Sequence, residues 1–335
     1  TEDNRVRKLD YSIQLSKIFY ERFIQDGDIS LFSPHDVPGL YDAFGTDAFD
    51  DLYTGYESDG SIPRKTIGAQ KLILDLLKER AETGRIYLMN IDHCNSHSSF
   101  KDKVEMSNLC QEITLPTVPL NHIDDEFGEI ALCILSAVNV GKVHSDSELE
   151  ELCDLSVRSL DELIDYQEYP VKAAEIATRA RRSLGIGFIG LAHYLAKLGF
   201  NYGSQDAWDA VHKLSESFQY YLLKASNKLA EEKGYCEYFG RTKYSDGILP
   251  IDTYKKDVDG IANPELQHDW ESLRVSILEH GLRHSTLSAQ MPSESSSVVS
   301  NATNGIEPPR DYLSIKKSKK GPLKQIVPGY SHLKN

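Results

Sequence analysis

A single cysteine in the segment SNLCQEI, residues 107–113, has an amide on one side and a carboxylate on the other. Asn108 lies two residues before Cys110, and Glu112 lies two residues after it. In an extended or finger-like loop, residues at i and i+2 point to the same side, so the three side chains would share one small volume. This spacing predicts chemistry at the thiol. The alternative is a small buried cysteine whose two neighbours satisfy backbone groups of the loop.

The charge beside the thiol indicates which chemistry is feasible. A nearby carboxylate raises the pKa of a cysteine because it disfavours the thiolate. A nucleophilic cysteine needs a histidine or a helix N-terminus instead, and the local sequence offers neither. An uncharged Cys110 would work by hydrogen-atom transfer. A thiyl radical would remove hydrogen from carbon, Glu112 would take the proton of an adjacent hydroxyl, and Asn108 would fix the substrate by hydrogen bonding.

A second segment, TLSAQMPSESSSVVSNATNGIEPPR at 286–310, places four serines ahead of two valines. Unpaired N–H groups at a helix start, together with hydroxyls, predict a phosphate cradle that needs no lysine. The alternative is a serine-rich turn with ordinary helix capping.

Composition restricts the class of protein. With 335 residues and 40% hydrophobic content the chain can bury a core. The net charge of −14 disfavours a nucleic-acid partner. No apolar run reaches the roughly 20 residues of a membrane span, and the charged start TEDNRVRKLDYS is unlike a secretory signal, so we expect a cytoplasmic protein without a membrane partner. Five cysteines are too few and too scattered for a disulfide framework.

The elements that must position these residues follow from hydrophobic patterns. The runs RIYLMNI (85–91) and IALCILSAVNV (130–140) predict strands covered on both faces, and they alternate with amphipathic helices. This order predicts an α/β fold with a mainly parallel sheet, open or closed into a barrel. One helix is predicted to start with a capping box of Ser147 and Glu150, and another to end at Gly234. The turn-rich segment 242–282 predicts a small inserted subdomain.

Three other patterns favour structural roles. The segment GIGFIG (185–190) fits a dinucleotide-binding fingerprint, but the residues before it are polar and helix-forming, so close helix packing explains the glycines better. The segment HCNSH (93–97) lacks a fourth metal ligand, which favours a turn and predicts no metal site. The basic segment SIKKSKKGPLK (314–324) is expected to form a solvated hairpin tip.

Taken together, NLCQEI, GEIALCILSAVN and MPSESSS…NATNGIEPPR resemble the large, catalytic subunit of aerobic (class I) ribonucleotide reductase. The flanking segments are similar to its bacterial and phage branch: SLFSPHDVPGLYDAFG, TGRIYLMNIDHCNSHS, DYQEYPVKAA, RRSLGIGFIGLAHYLA and GILPIDTYKKD. The resemblance spans essentially the whole chain. It implies that residues 1–335 form the second half of a ten-stranded α/β barrel with a catalytic finger loop, and that 242–282 is a small α/β excursion.

The resemblance also implies roles for individual residues. Cys110 would become the thiyl radical that removes the 3′ hydrogen of a ribonucleoside diphosphate. Glu112 would take the 3′-hydroxyl proton, and Asn108 would hydrogen-bond the substrate. Cys133 matches one of two cysteines whose oxidation to a disulfide supplies electrons when the 2′-hydroxyl leaves as water. The diphosphate-binding segment is matched by Glu294, Ser295 and Ser296.

The same resemblance implies partners. No cofactor is expected on this chain, because a di-metal small (beta) subunit would supply the radical and thioredoxin- or glutaredoxin-type donors the reducing equivalents. The family works as a dimer of large subunits. Its chain also has segments before and after the matched region, so we expect a split-gene product or truncated record, inactive without an N-terminal large-subunit piece. If phage-encoded, it would act in the host cytoplasm.

Two other interpretations of the sequence remain open. A non-catalytic remnant or partner-binding fragment would have no reason to keep Asn108, Cys110, Glu112 and Cys133 together. A glycyl-radical relative would need a glycine-radical loop near the C-terminus, and the sequence shows none.

Overall fold

The computed structural model describes residues 9–263, 265–318 and 321–330. The chain divides into two compact units. The first unit comprises Thr1–Ser98 and Lys103–Thr114, and the second comprises Ser99–Asp102 and Leu115–Asn335. The segment 103–114, which carries Cys110, therefore belongs to the first unit, although the chain on both sides of it belongs to the second.

The first unit combines two small β ladders with helices. Strands β1 and β4 pair in parallel, with Tyr11 opposite Ile86, whereas β2 and β3 pair antiparallel. Its elements in chain order are β1 (Tyr11–Leu15), α1 (Lys17–Ile24), β2 (Asp28–Phe32), α2 (Leu40–Ala43), α3 (Phe49–Ser58), β3 (Arg64–Gly68), α4 (Ala69–Thr83), β4 (Ile86–Asn90) and α5 (Ile91–His97). The predicted turn at HCNSH is instead part of α5.

The second unit contains a parallel ladder, an antiparallel hairpin and most of the helices. Its elements are β5 (Ile134–Asn139), α6 (Asp146–Tyr166), α7 (Lys172–Arg181), β6 (Leu184–Ile189), α8 (Leu191–Leu198), α9 (Gln205–Lys233), α10 (Pro250–Thr253), α11 (Trp270–His280), α12 (Glu294–Ser300), β7 (Leu313–Ser318) and β8 (Gly321–Ile326). Short 3₁₀ turns lie at 140–142, 239–241, 243–246 and 256–260.

The parallel ladder forms the centre of the second unit. Strand β5 pairs with β6, with Ile134 opposite Leu184, and residues 286–289 run along the other edge of β6. Strand β6 is buried throughout, whereas Leu135 on β5 stays 44% exposed because β5 lies at the edge of the ladder. The α/β character is confirmed. Of the four two-stranded ladders in the described residues two are parallel and two antiparallel, so a mainly parallel sheet is not observed, and neither is complete burial of the 130–140 strand. The described residues form no closed barrel.

Gly185 and Gly187 of GIGFIG lie inside β6, whereas Gly190 follows the strand in a left-handed conformation and directly precedes α8. A Cβ atom added to Gly185 would lie 2.8 Å from Cys133 Sγ and 3.1 Å from Ala289 Cβ. At Gly187 it would overlap the carbonyl oxygen of Ala289. Gly185 and Gly187 therefore permit residues 286–291 to pack closely against β6, a contact on the strand that the helix-packing interpretation did not foresee. Gly190 fits that interpretation, because a Cβ atom there would lie 2.5 Å from Asn139 Oδ1 at the start of α8.

The amphipathic helices cover the ladder and form the main core, which includes Leu160, Ile186, Leu222 and Ile277. Helix α9 ends at Gly234 as predicted. The predicted capping box is two residues out of register. Helix α6 begins after Ser145, whose Oγ accepts from Glu148 N–H, while the Glu148 carboxylate accepts from His144 N–H at 2.8 Å.

The segment 242–282 is helical in its described residues, with 3₁₀ turns, α10 and α11, so the α/β character expected of it is not observed. Its hydrogen bonds reach neighbouring helices, as when Asn227 Nδ2 on α9 donates to Gly281 O at 2.8 Å, and residues 99–101, as when Lys243 N–H donates to Ser99 O at 2.7 Å. Its standing as a separate subdomain stays a prediction. The expected hairpin at 314–324 is formed by β7 and β8, and its tip, 319–320, lies outside the described residues.

A buried ionic cluster joins distant parts of the second unit. Asp161 on α6 accepts hydrogen bonds from Arg182 (2.7 Å), Arg283 (3.2 Å) and Lys233 (3.4 Å). The Asp161 carboxylate is also 3.2 Å from Nε2 of the fully buried His284. Burial by itself would raise the pKa of Asp161, but the hydrogen bond with His284 and the charges of Arg182 and Arg283 hold it well below its usual value.

Candidate functional site

The segment around Cys110 is a narrow loop in the first unit. An antiparallel bridge between Ser107 and Thr114 closes its base. At its tip Gln111 N–H donates to Asn108 O at 3.1 Å, and Gln111 has a φ of 59°, a left-handed value that few non-glycine residues adopt. The Gln111 side chain also donates to Ser12 Oγ on β1 at 3.1 Å. Of the two conformations expected, the molecule has the finger-like loop and not the extended one.

The loop presents the thiol to solvent and keeps it protonated. Cys110 is exposed. Its pKa is raised from the ordinary value, first by partial burial and then by the negative charge of Glu112. The two side chains are therefore close enough to interact electrostatically, although the backbone between them turns. The sign of the shift is the one that the spacing predicts, and it disfavours nucleophilic chemistry at neutral pH.

The two flanking side chains differ in their hydrogen bonding. Asn108 Oδ1 accepts from Ile113 N–H at 3.4 Å, so this amide also stabilises the loop. Glu112 Oε2 is buried and has no hydrogen-bond partner among the described residues. A buried carboxylate oxygen without a partner is uncommon in folded proteins and is available to accept a proton.

Cys133 lies in the second unit, immediately before β5, and is half-buried. Its sulfur packs over Gly185, beside Ala289 of the segment that leads to α12. No disulfide joins the five cysteines, all of which are in the described part of the chain. Burial raises the pKa of Cys153 and of Cys236 to about 12.

The serine-rich segment begins a helix in the second unit. Glu294, Ser295 and Ser296 form the first turn of α12, where backbone N–H groups have no acceptor within the helix. Asn304 Oδ1 orients the turn by accepting from Ser293 N–H at 2.7 Å. The chain runs to this point directly from residues 286–289, which lie beside β6. Binding residues are often on loops that a rigid strand positions in this way.

The predicted site residues thus fall into two groups. Asn108, Cys110 and Glu112 come together on one loop of the first unit. Cys133 packs over Gly185 of β6 in the second unit, and the segment that leads to α12 packs against the same strand at Gly187. Among the described residues, no group of three His, Cys, Asp or Glu side chains has an arrangement that could hold a metal ion. In the same part of the chain, no helix is both long and apolar enough to cross a membrane.

Comparison with known proteins places the whole chain in one family. A model described as "Ribonucleotide reductase, barrel domain" matches residues 1–334. The chain belongs to the ribonucleotide reductase barrel-domain family. This confirms the resemblance to the class I large subunit.

Curated ribonucleotide reductases show the extent of the match. The chain is 59% identical to ribonucleoside-diphosphate reductase subunit alpha of Haemophilus influenzae, over 99% of this chain and 45% of that protein. It is 58% identical to subunit alpha of reductase 1 from Escherichia coli K12, over 99% of this chain and 44% of that protein. Identity to the subunit alpha of Enterobacteria phage T4 is 46%, over 44% of its length. The chain therefore spans less than half the length of these relatives.

Two polar residues beside the start of α12, Thr303 and Asn304, were not singled out from the sequence, whereas Ser293 was one of the four serines noted there. Asn304 holds the turn before α12, and Ser293 Oγ and Thr303 Oγ1 are buried beside it without hydrogen-bond partners among the described residues. Their signal is the pair of polar clusters, PSESSS and NATNG, on either side of a short apolar stretch. Gln111 gives no such signal, because glutamine has no marked preference for a left-handed turn position.

Proposed function

We propose that this chain supplies part of the catalytic centre that reduces ribonucleoside diphosphates to 2′-deoxyribonucleoside diphosphates. The observation that carries the proposal is the finger loop, which presents an exposed, protonated thiol and a carboxylate oxygen that has no hydrogen-bond partner in the described part of the chain. A thiol that remains protonated suits hydrogen-atom transfer. Two catalytic groups on one short loop suit a reaction that needs hydrogen-atom and proton removal from neighbouring positions.

In the proposed reaction, the sulfur radical of Cys110 takes the 3′ hydrogen of the substrate. Glu112 accepts the 3′-hydroxyl proton while Asn108 hydrogen-bonds the substrate, and the 2′-hydroxyl leaves as water. Cys133 and a second thiol form a disulfide, which supplies the two electrons, and Cys110 then returns its hydrogen to C3′. The net change is one ribonucleoside diphosphate and two thiols converted to one deoxyribonucleoside diphosphate, one disulfide and water.

The substrate and partners follow from the same proposal. Glu294, Ser295 and Ser296 would bind the diphosphate, with N–H groups and hydroxyls as donors. A small (beta) subunit carrying a di-metal centre would generate the radical, and thioredoxin- or glutaredoxin-type proteins would reduce the disulfide. The parallel β5–β6 ladder would contribute to a ten-stranded barrel, and the large subunit would act as a dimer.

The test is conversion of CDP to dCDP by a chimera of the Escherichia coli subunit alpha in which the matched 44% of its length is replaced by this sequence. The chimera is combined with the radical-generating small subunit and a thiol reductant. We expect turnover that disappears in Cys110→Ala and persists in Cys94→Ala, a matched variant at the half-buried cysteine of α5. Turnover that survives in Cys110→Ala would refute the proposal. A folded chimera that binds the small subunit without turnover would favour a non-catalytic remnant.

A further inference from the structure

The chain leaves the second unit after Asp102 and returns to it at Leu115. Between these points lies the segment 103–114, which carries Asn108, Cys110 and Glu112. The residues that flank this segment on both sides belong to the second unit. Two arginines from distant parts of that unit, Arg181 and Arg241, bind residues on both sides of the loop.

The four side chains form a closed ring of ion pairs. Arg181 donates from Nε to Glu129 at 2.7 Å and from Nη1 to Asp102 at 2.9 Å. Arg241 pairs with the same two acids, through Nε with Asp102 at 2.8 Å and through Nη1 with Glu129 at 3.1 Å. Each carboxylate is thus bound by both guanidinium groups, and the ring carries no net charge. The ring of Tyr238 lies close to both guanidinium groups, with its centroid 5.2 Å from Arg181 Cζ and 4.3 Å from Arg241 Cζ.

The ring fixes the backbone on both sides of the loop. Asp102 immediately precedes residue 103, and the neighbouring Lys101 N–H donates to Arg241 O at 2.9 Å. On the other side Glu129 exchanges two backbone hydrogen bonds with Val118, four residues after the loop ends, at 3.0 and 3.1 Å. The two chain ends are therefore tied to one pair of arginines, over sequence separations of 79 and 52 residues for Arg181.

The ring is held more rigidly than a surface ion pair would be. The side chain of Arg181 is 2% exposed and that of Glu129 is 6% exposed, so water screens their interaction little. Each planar guanidinium bridges the two carboxylates through two of its nitrogens, which fixes its orientation in a way that a lysine could not reproduce. We infer that Arg181 and Arg241 are positioning residues that set the two ends of the loop carrying Cys110. The effect that we expect on catalysis rests on the proposed function, whereas the effect on the backbone beside the loop does not.

The experiment uses Asp102→Asn, which keeps the shape of the side chain and removes its charge at a partly exposed site. The matched control is Asp246→Asn, which removes a 2.7 Å ion pair with the neighbouring Lys101 and leaves the ring intact. Asp102→Glu restores the charge. Hydrogen exchange followed by mass spectrometry on the 335-residue chain reads the amides of 99–130, and helix α9 reports the integrity of the core.

We expect amides of 99–130 to exchange at least ~10-fold faster in Asp102→Asn than in the wild type, with α9 unchanged and with near wild-type rates in Asp246→Asn and Asp102→Glu. In the chimera, kcat would fall by about 10-fold or more while KM for CDP stays within about two-fold, because misplacement of a reacting group affects the chemical step. Unchanged exchange in a folded Asp102→Asn chain would overturn the inference. Faster exchange with unchanged kcat would overturn its catalytic consequence. A wild-type chimera without turnover would count against the proposed function, and the exchange data would still decide the role of the ring.

Discussion

Acidification should destabilise the second unit through one buried histidine. His284 is fully buried, with Nδ1 2.9 Å from Ser226 Oγ and Nε2 3.2 Å from Asp161 Oδ1. Burial lowers the pKa of His284 to about 4. The hydrogen bond and charge of Asp161 oppose this shift, and the charges of Arg182 and Arg283 add to it. In the unfolded chain a histidine has a pKa of about 6.5.

The sign and size follow from these two pKa values. Above pH 6.5 the histidine is neutral in both states and contributes no pH dependence. Below pH 6.5 the unfolded chain binds a proton that the folded chain does not bind until about pH 4, so stability falls as the pH falls. Because one pKa unit corresponds to about 1.4 kcal/mol, this group should remove ~2 kcal/mol from the free energy of unfolding between pH 6.5 and pH 5.

Urea unfolding followed by tryptophan fluorescence measures this effect, because Trp208 and Trp270 both lie in the second unit. Other acid-sensitive groups contribute equally in each variant, so the comparison with His284→Asn isolates the histidine. Between pH 7 and pH 5 the wild type should lose ~2 kcal/mol more than His284→Asn. His280→Asn, at the exposed end of α11, should behave as the wild type. Equal losses in the wild type and in His284→Asn would refute the reasoning.

Three further predictions concern the loop, the ladder and the core cysteines. In Glu112→Gln the pKa of Cys110 should fall because a negative charge is removed, so iodoacetamide should modify Cys110 about 2- to 10-fold faster at pH 8, as measured by mass spectrometry. An unchanged rate, or an equal increase in Glu105→Gln, would contradict this. Gly187→Ala should lower the free energy of unfolding by ~1–3 kcal/mol in urea, because its Cβ meets the Ala289 carbonyl. Gly203→Ala, which faces open space, should change it by less than about 1 kcal/mol, and similar losses in both variants would exclude the overlap as the cause. In the native chain Cys153 and Cys236, with pKa values of about 12, should react at least ~100-fold more slowly than Cys110, and comparable rates would show that the core is open.

Features that depend on neighbouring residues were predictable from the sequence. The parallel strands at 86–90 and 134–139, the end of α9 at Gly234 and the hairpin after Leu313 follow from hydrophobic period and turn residues. The capping box was placed wrongly because HSDSELEE contains the S-x-x-E spacing twice, at Ser145 and at Ser147. Local spacing cannot choose between them, and the observed start follows from the hydrogen bond of Glu148 to His144.

The site was predictable in its residue types and less so in its backbone. The spacing of Asn108, Cys110 and Glu112 indicated a shared loop and the sign of the thiol pKa shift. It did not predict the left-handed turn at Gln111, whose side chain contacts Ser12, 99 residues away, because local spacing carries no information on such distant contacts. The ring of Arg181 and Arg241 was not foreseen for the same reason, since its members are scattered along the sequence.

The cluster around Asp161 also bears on the order in which the second unit folds. Its contacts bridge 21 residues to Arg182, 72 to Lys233 and 122 to Arg283. Closing such long loops costs conformational entropy before the contact contributes any stability. We therefore expect α6 to pack against α9 largely before the cluster forms. Interactions that form after the transition state affect the rate of unfolding more than the rate of folding. We therefore expect the cluster to slow unfolding more than it accelerates folding.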